Sequence, residues 1–323
     1  MELNVDPNLV ERFRGDLDPL VAAGARFGIA VSGGPDSLAL LLLAATARTG
    51  DVEAATVDHA LRPEAADESK LVSEICDGLA VPHTILTARW PDVPETGIQE
   101  RARHQRYRLL GYWAEERRLG AILTGHHADD QEETMLMRLA RGSGVRGLAG
   151  MRARSVTPGS HVRLVRPLLR WRRSELEHIC AASGLKPVAD PSNLDERFER
   201  VRIRHALSGS DWLDPAAIAH SAANLADADA ALEWAAKHEW RRAVTERHGT
   251  IAFRPAELPA EIIRRIVARA IRTLATEGDP DLRGREVDQL LSVLSSGGEA
   301  TLRGVRCSGG REWRFTATPP RRS

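Results

Sequence analysis

The sequence is poor in cysteine and in long apolar runs, and each shortage excludes a class of protein. Its 323 residues include three cysteines, Cys76, Cys180 and Cys307, which are scattered and form no CxxC pair. This spacing argues against an iron–sulfur cluster or a cysteine-ligated zinc site. The longest apolar-rich stretch, residues 38–47, is too short to cross a bilayer. Because its start also lacks a secretory signal pattern, we predict a cytoplasmic protein with no membrane partner.

Lysine is scarce as well, and the formal net charge is zero, so composition alone does not indicate a nucleic-acid partner. The distribution of arginine is more informative. Between residues 138 and 173 there is no Asp or Glu, while arginine occurs at positions 138, 141, 146, 152, 154, 163, 166, 170, 172 and 173. Codon bias explains many arginines in a chain with three lysines, but it does not explain the missing acids. We interpret this block as a surface that contacts phosphates.

Apolar runs alternate with amphipathic segments up to about residue 188, which predicts an α/β fold with a doubly wound, mostly parallel sheet. Predicted strands are residues 27–31, 54–57, 83–86, 121–124 and 162–165. The alternation stops after Leu207, so we predict two domains, residues 1–207 and 212–318. The second is smaller and mainly helical, with helices at residues 218–240, 261–274 and 286–294, and it ends in a hairpin of residues 301–307 and 312–316.

A glycine-rich turn follows the first predicted strand and leads into a helix, with the sequence Ser32-Gly33-Gly34-Pro35-Asp36-Ser37. Glycines let the backbone approach an oxyanion, and the unpaired N–H groups of a helix start point at it. The turn lacks the Gly-Lys-Ser/Thr ending of a Walker loop and has no GxGxxG. A carboxylate beside phosphate requires a bridging cation, so Asp36 indicates Mg²⁺. The alternative is that Asp36 is an ordinary residue of the first helical turn.

A second polar cluster lies where the fourth predicted strand enters its helix, with the sequence Gly125-His126-His127-Ala128-Asp129-Asp130. In a parallel sheet, this strand end meets the glycine turn at one edge. Either histidine can donate to phosphate, and Asp129 or Asp130 can share Mg²⁺ with Asp36. Both aspartates can instead cap the helix. The pattern favours an active site at this edge.

The glycine turn resembles the phosphate loop of the N-type ATP pyrophosphatases, or PP-loop enzymes, and the chain from about residue 26 to 205 resembles the tRNA(Ile)-lysidine synthetase family. The resemblance also rests on these segments: Val57-Asp58-His59 with Leu61-Arg62, residues 99–107 around Arg103, the stretch from Leu123 to Met151, and residues 166–169, 190–193 and 200–204. The family often has Asn at the position of Val201. The resemblance implies a PP-loop domain followed by a substrate-binding and tRNA-binding domain.

The residues and the resemblance together assign the site. ATP binding is predicted for Ser32, Gly33, Gly34, Pro35, Asp36, Ser37, Asp58, His59, Arg103, Gly125 and His126. Catalytic roles are predicted for Asp36, Arg103, His126, His127, Asp129 and Asp130, and Mg²⁺ ligation for Asp36, Asp129 and Asp130. Contacts to tRNA are predicted for Arg138, Arg141, Arg146, Arg200, Arg202 and Arg204.

The resemblance implies that the chain ligates free L-lysine to C2 of the wobble cytidine of tRNA(Ile) with anticodon CAU. The cytidine is first adenylated by ATP, and pyrophosphate and then AMP are released. Either Asp58 or Asp130 is a candidate carboxylate for the lysine. A thiolating tRNA ligase is disfavoured because the chain lacks paired cysteines. An NAD synthetase is disfavoured by the arginine block, and a non-catalytic ATP-binding RNA module is the alternative from another class.

Overall fold

The computed structural model describes residues 5–59, 64–90, 97–188, 199–208, 212–255, 257–275, 282 and 284–318. Two segments named above, Leu61-Arg62 and residues 190–193, lie outside the described residues. The chain divides into two compact units. One contains residues 1–142 and 147–224, and the other contains residues 143–146 and 225–323. Within the described residues, no helix is long and apolar enough to span a membrane.

The first unit is built around a six-stranded sheet. Its strands are β1 (Phe27–Ala30), β2 (Val52–Asp58), β3 (His83–Thr87), β4 (Ala121–Leu123), β5 (Arg154–Val156) and β6 (Arg163–Val165). The spatial order is β3-β2-β1-β4-β6-β5. All neighbouring pairs are parallel except β5 with β6. The predicted doubly wound, mostly parallel sheet is confirmed, and β5 is an antiparallel edge strand that the sequence pattern did not reveal.

Helices cover both faces of this sheet. The helices in this part of the chain are α1 (Pro7–Leu17), α2 (Pro35–Ala47), α3 (Glu64–Gly78), α4 (Ile98–Glu116), α5 (Ala128–Ala140), α6 (Val145–Leu148), α7 (Arg173–Ala182) and α8 (Glu199–Ser208). On one face α1, α2 and α7 form a core that includes Phe13 and Trp171. On the other face α4 contributes Tyr107 and Trp113 to a second core.

The order of the strands determines where a ligand can bind. The chain runs outward from β1 to β2 and β3, and then returns to place β4 on the other side of β1. At such a reversal the connections leave adjacent strands in opposite directions, and a crevice opens at the carboxyl ends of the strands. The loops after β1 and β4 both lie at this crevice. They contain the two polar clusters predicted from the sequence.

The second unit combines helices with an antiparallel sheet. Its elements are α9 (Pro215–Ala243), of which residues 225–243 belong to this unit, β7 (Val244–Arg247), β8 (Thr250–Phe253), α10 (Ala260–Leu274), α11 (Gly284–Ser295), β9 (Glu299–Leu302), β10 (Val305–Ser308) and β11 (Trp313–Ala317). The strand order is β7-β8-β11-β10-β9. The predicted closing hairpin corresponds to β10 with β11, and the sheet continues on both sides of it. The predicted strand 301–307 is divided by a turn at Arg303-Gly304, where both residues have positive φ, so its first residues belong to β9.

Candidate active site

The loop after β1 is shaped by serine hydroxyls. The hydroxyl of Ser37 donates to the carbonyl of Gly34 at 3.0 Å, and the backbone N–H of Ser32 donates to the Ser37 oxygen at 3.1 Å. The two serine hydroxyl oxygens are 3.2 Å apart. Gly34 is the N-cap of α2 and Pro35 begins the helix. Since Gly34 has no side-chain cap, the first N–H groups of α2 remain available to an anion.

Gly125 brings the second loop against the first. A Cβ atom at this position would lie 2.8 Å from the backbone carbonyl oxygen of Asp36 and 3.1 Å from the backbone nitrogen of Ser37. These contacts are too close for any side chain. The backbone after β4 therefore touches the start of α2 directly. This contact explains how residues about 90 positions apart in the printed sequence come to share one site.

His127 is the centre of the acidic part of the site. Its side chain is fully buried, and its Nε2 lies 3.5 Å from Asp36 and 3.6 Å from Asp130, while its Nδ1 lies 3.5 Å from Asp129. Burial lowers the pKa of His127, but the surrounding carboxylates outweigh it and raise the pKa to about 9. The four residues predicted from two separate loops are thus in contact, with an imidazolium among three aspartates.

Asp129 and Asp130 are held in place by backbone and arginine donors. Asp129 accepts the backbone N–H of Arg173 at 2.9 Å and the guanidinium of Arg172 at 3.4 Å. Burial raises the pKa of Asp129, but His127 and these donors lower it well below its usual range. Asp130 accepts the backbone N–H of His127 at 3.1 Å and Arg200 at 2.6 Å. The helix-capping interpretation therefore holds for Asp130, in addition to its contact with His127.

Asp36 differs from the other two aspartates because its Oδ1 is buried and has no hydrogen-bond partner among the described residues. Among the residues that the structure describes, no group of three or more His, Cys, Asp or Glu side chains forms a complete metal site. Mg²⁺ commonly takes one or two carboxylates and completes its shell with substrate phosphates and water. One unpartnered carboxylate oxygen beside a phosphate loop fits a metal ion that arrives with ATP.

His126 lies in a different environment from its neighbour. Its Nδ1 is 2.8 Å from the hydroxyl of Thr124. Burial, followed by the positive charges of Arg166, Arg103, Arg106 and Arg200, lowers the pKa of His126 well below its usual value. The imidazole is therefore neutral at neutral pH. Its surroundings form an electropositive pocket suited to the negative charge of a phosphate group.

The remaining predicted nucleotide contacts lie on neighbouring elements. Asp58 ends β2, next to β1, and its backbone carbonyl accepts the N–H of Ala88 at 2.8 Å. The carbonyl of His59 accepts the indole N–H of Trp90 at 2.7 Å. Arg103 is exposed on α4, with its guanidinium carbon 5.0 Å from the centre of the Tyr107 ring. Asp58 and His59 thus lie at the carboxyl end of the strand beside β1, at the crevice edge.

Glu133 is an important residue that sequence reasoning missed. Its side chain is only 3% exposed and bonds Arg200 and, at 2.8 Å, Arg204, while Arg173 lies 3.8 Å away. Arg200 and Arg204 are four residues apart and share one face of α8. They therefore fasten α8 to α5 through a buried carboxylate. The i, i+4 spacing of these arginines was the available signal, but it does not identify their partner.

We expect Glu133→Gln to lower the free energy of unfolding by about 3 kcal/mol, because it removes the buried carboxylate charge that Arg200 and Arg204 share. Chemical denaturation measures this loss. Glu199→Gln is the matched control, since Glu199 pairs with Arg141 at the surface, where side chains are 37% and 60% exposed. Removing that pair should cost no more than about 1 kcal/mol. Equal losses in the two variants would contradict a structural role for the Glu133 cluster.

The arginines predicted to contact tRNA differ in their surroundings. Arg138 donates to the carbonyls of Gly147 and Gly150 at 2.7 and 3.0 Å and so holds the glycine-rich segment against α5. Arg146 pairs with Glu233 at 2.8 Å within the second unit. Arg141 and Arg202 are exposed. Because Arg202 lies two residues from both Arg200 and Arg204, it occupies a different face of α8 from that pair.

Comparison with known proteins identifies the family of this chain. Residues 7–210 match the family model described as PP-loop domain. A tRNA(Ile)-lysidine synthase of Novosphingobium aromaticivorans is 46% identical over 316 residues, covering 97% of this chain and 94% of that protein. A tRNA(Ile)-lysidine synthase of Zymomonas mobilis is 44% identical over 299 residues, covering 92% and 90%. These identities extend through both units.

A solved structure gives the same fold at low identity. The U34-tRNA thiolase of Methanococcus maripaludis aligns with a TM-score of 0.57 and 18% identity, over 68% of this chain and 78% of that chain. That thiolase holds a [4Fe-4S] cluster. Here the three cysteines are buried and free, and burial raises the pKa of each thiol to about 12. Such thiols are poor cluster ligands. On the sequence matches and the site geometry, this chain is a PP-loop protein and belongs to the tRNA(Ile)-lysidine synthase family.

Proposed function

We propose that the protein ligates L-lysine to C2 of the wobble cytidine in a tRNA(Ile) with anticodon CAU, and that it uses Mg-ATP. The observation that carries this proposal is the contact at Gly125, which brings His127 and two aspartates to the phosphate loop. Acidic side chains beside a phosphate loop suit the metal-assisted positioning and charge neutralisation on which phosphoryl transfer depends. Membership of the family supplies the substrate class.

In the first step, the triphosphate binds at the N-terminus of α2, where the Ser32 hydroxyl and free backbone N–H groups donate to its oxygens, while Ser37 shapes the loop by donating to the Gly34 carbonyl. Mg²⁺, when bound, neutralises phosphate charge, and Asp36 offers it an unpartnered carboxylate oxygen. Asp129 and Asp130 stand behind this ligand and, through His127, keep the Asp36 carboxylate in position. The chain thus binds and orients ATP before any bond is broken.

In the second step, the C2 oxygen of cytidine attacks the α-phosphorus of ATP, and pyrophosphate leaves from the same phosphorus. Negative charge grows on the departing oxygens. Arg103, together with neutral His126 and its arginine neighbours, provides the opposing field. In the third step, the lysine amine attacks C2, loses a proton, and AMP leaves with the oxygen. Either Asp58 or Asp130 is the proposed carboxylate that holds the lysine.

For the tRNA, the exposed members of the arginine set are the better candidates for direct phosphate contact. Arg141, whose ion pair with Glu199 lies at the surface, and Arg202 are exposed. Arg200 and Arg204 instead bind the buried Glu133, and Arg138 binds backbone carbonyls. We propose that Arg141 and Arg202 contact the backbone of the anticodon stem. The others, including Arg146, act by holding the protein segments that carry these contacts.

The test incubates the protein with Mg-ATP, labelled lysine and a tRNA(Ile) transcript bearing CAU. We expect acid-stable label in the tRNA, with one pyrophosphate and one AMP released per lysine incorporated. A tRNA(Met) transcript with the same anticodon is the control and should remain unlabelled. Pyrophosphate release that depends on tRNA, with no lysine incorporated, would indicate a different nucleophile. ATP and tRNA binding without pyrophosphate release would favour the non-catalytic RNA module.

A further inference from the structure

The second unit exposes a tryptophan on the surface of α9. Trp234 is 71% exposed, whereas Trp240 on the same helix and Trp313 on β11 are 7% and 4% exposed. An indole ring carries a large apolar area, and leaving it in water forgoes the free energy that its burial would provide. One exposed tryptophan is not by itself a site. Evidence for a function of Trp234 must therefore come from the residues beside it on α9.

Three of these neighbours form one exposed strip with Trp234. His238, one turn further along, stacks on the indole with ring centroids 5.8 Å apart and an interplanar angle of 18°. Lys237 and Arg241, three and seven residues after Trp234, lie on the same helical face and are exposed. We name Trp234, Lys237, His238 and Arg241 the tryptophan strip. It joins a pre-oriented aromatic stack to two positive charges.

The nearest acidic residues on α9 do not neutralise the strip. Glu233 is 2.8 Å from Arg146 and 3.4 Å from Arg265. Glu239 is 3.7 Å from Arg242. Basic residues in the last turn of a helix are stabilised by the negative end of the helix dipole. This effect alone accounts for the presence of Arg241. The dipole does not account for an exposed indole that stacks on a histidine.

We propose that the tryptophan strip binds an unpaired nucleotide of the tRNA substrate. This inference rests on the proposed function, which supplies tRNA as the partner, and it adds a recognition point in the second unit. The base stacks on Trp234, whose orientation His238 restricts, and Lys237 and Arg241 meet the flanking phosphates. Sequence-specific and loop-specific RNA recognition commonly uses an aromatic ring for the base and cations for the backbone.

The charge pattern favours RNA over a second copy of the chain. Two copies meeting through this strip would bring Lys237 and Arg241 close to their own equivalents, and like charges facing each other disfavour association. An RNA loop presents the opposite charge beside a free aromatic face. The strip therefore complements a nucleotide in both stacking and charge.

The first test measures the Kd for labelled tRNA by fluorescence anisotropy. We expect Trp234→Ala to weaken binding about tenfold, the effect typical of one lost stacked base, and Trp234→Phe to retain most of the affinity. Trp212→Ala is the matched control, because Trp212 is 78% exposed but has no stacked ring partner within the described part of the chain. Its affinity should equal that of the wild type. ATP binding should be unchanged in all three variants.

Salt dependence separates stacking from charge. The slope of log Kd against log salt reports the number of phosphate contacts. We expect the double variant Lys237→Ala/Arg241→Ala to reduce this slope by about 1 to 2, and Trp234→Ala to leave it unchanged because stacking releases no counterions. If Trp234→Ala and the double variant change this slope by the same amount, the substitutions have disturbed the whole helix, and the assignment would be overturned.

Four further outcomes distinguish tRNA binding by the strip from self-association and from failure of the proposed function. If Trp234→Ala binds tRNA as tightly as Trp212→Ala does, the strip does not contact tRNA. If light scattering shows a dimer that Trp234→Ala converts to a monomer without changing tRNA affinity, the strip is a self-association surface. A wild-type protein that fails to bind tRNA would refute both this proposal and the proposed function. A protein that binds tRNA through Trp234 but incorporates no lysine would refute the proposed function alone.

Discussion

Asp36→Asn is expected to lower kcat/KM for lysine incorporation by about 10³-fold while leaving the fold intact. Asparagine has nearly the shape of aspartate but lacks the charge needed to ligate Mg²⁺ beside phosphates. The loss corresponds to about 4 kcal/mol of transition-state stabilisation, which is within the range of metal-assisted charge neutralisation. Pyrophosphate release measured with saturating tRNA gives the rate directly. Raising the Mg²⁺ concentration should restore only a small part of the lost rate.

The control for this variant is Asp18→Asn. Asp18 is an exposed carboxylate that pairs with Arg48 at 2.5 Å, away from both loops of the site. Its loss should leave the rate within about twofold of the wild type, since Arg48 is at the C-terminal end of α2, opposite the end that carries the phosphate loop. Near-normal pyrophosphate release by Asp36→Asn would show that the metal, if used, is held by other groups. The assignment of Asp36 would then have to be abandoned.

Gly125→Ala is expected to reduce kcat/KM for ATP by about 100-fold, although no functional group is removed. The added methyl group would lie 2.8 Å from the carbonyl oxygen of Asp36 and 3.1 Å from the nitrogen of Ser37, both backbone atoms. The loop must move away to relieve this contact. Misplacement of a catalytic group by about 1 Å can cost roughly this factor. Steady-state kinetics with varied ATP measures the effect.

Gly120→Ala is the control for the same strand. Gly120 immediately precedes β4, and Gly125 lies two residues beyond its end. A methyl group at Gly120 would meet its nearest atom, the carbonyl oxygen of Arg26, at an ordinary distance of 3.5 Å. This variant should retain activity. If Gly125→Ala is equally active, the two loops do not depend on the close contact that the structure shows.

The sheet of the first unit could be predicted because each of its parallel strands is a short apolar run followed by a helix. β5 could not be predicted from the sequence, because Arg154–Val156 has only three residues and shows no apolar alternation. Two of the three are exposed. In the second unit, β7 and β8 are joined by His248-Gly249, both with positive φ, as a two-residue hairpin requires. Histidine is uncommon there, so the turn and its two strands were missed.

The site was only partly predictable for a different reason. Because His126 and His127 are adjacent, the sequence made them equivalent candidates for the same roles. In the structure, the side chain of His127 lies among aspartates and that of His126 lies among arginines. Adjacent residues at a loop–helix junction point in different directions, and only the tertiary structure fixes which partner each receives. The same holds for Glu133, whose arginine partners come from residues about 70 positions later.

The burial of α2 has a consequence for how the protein opens. Ten of its thirteen residues are buried, including every residue from Ser37 to Ala45, so the helix is surrounded by protein. Segments with this much buried apolar contact exchange their amide hydrogens only when the whole domain unfolds. The phosphate loop is attached to the first residue of such a helix. The triphosphate site is thus anchored to a segment that opens only when its unit unfolds.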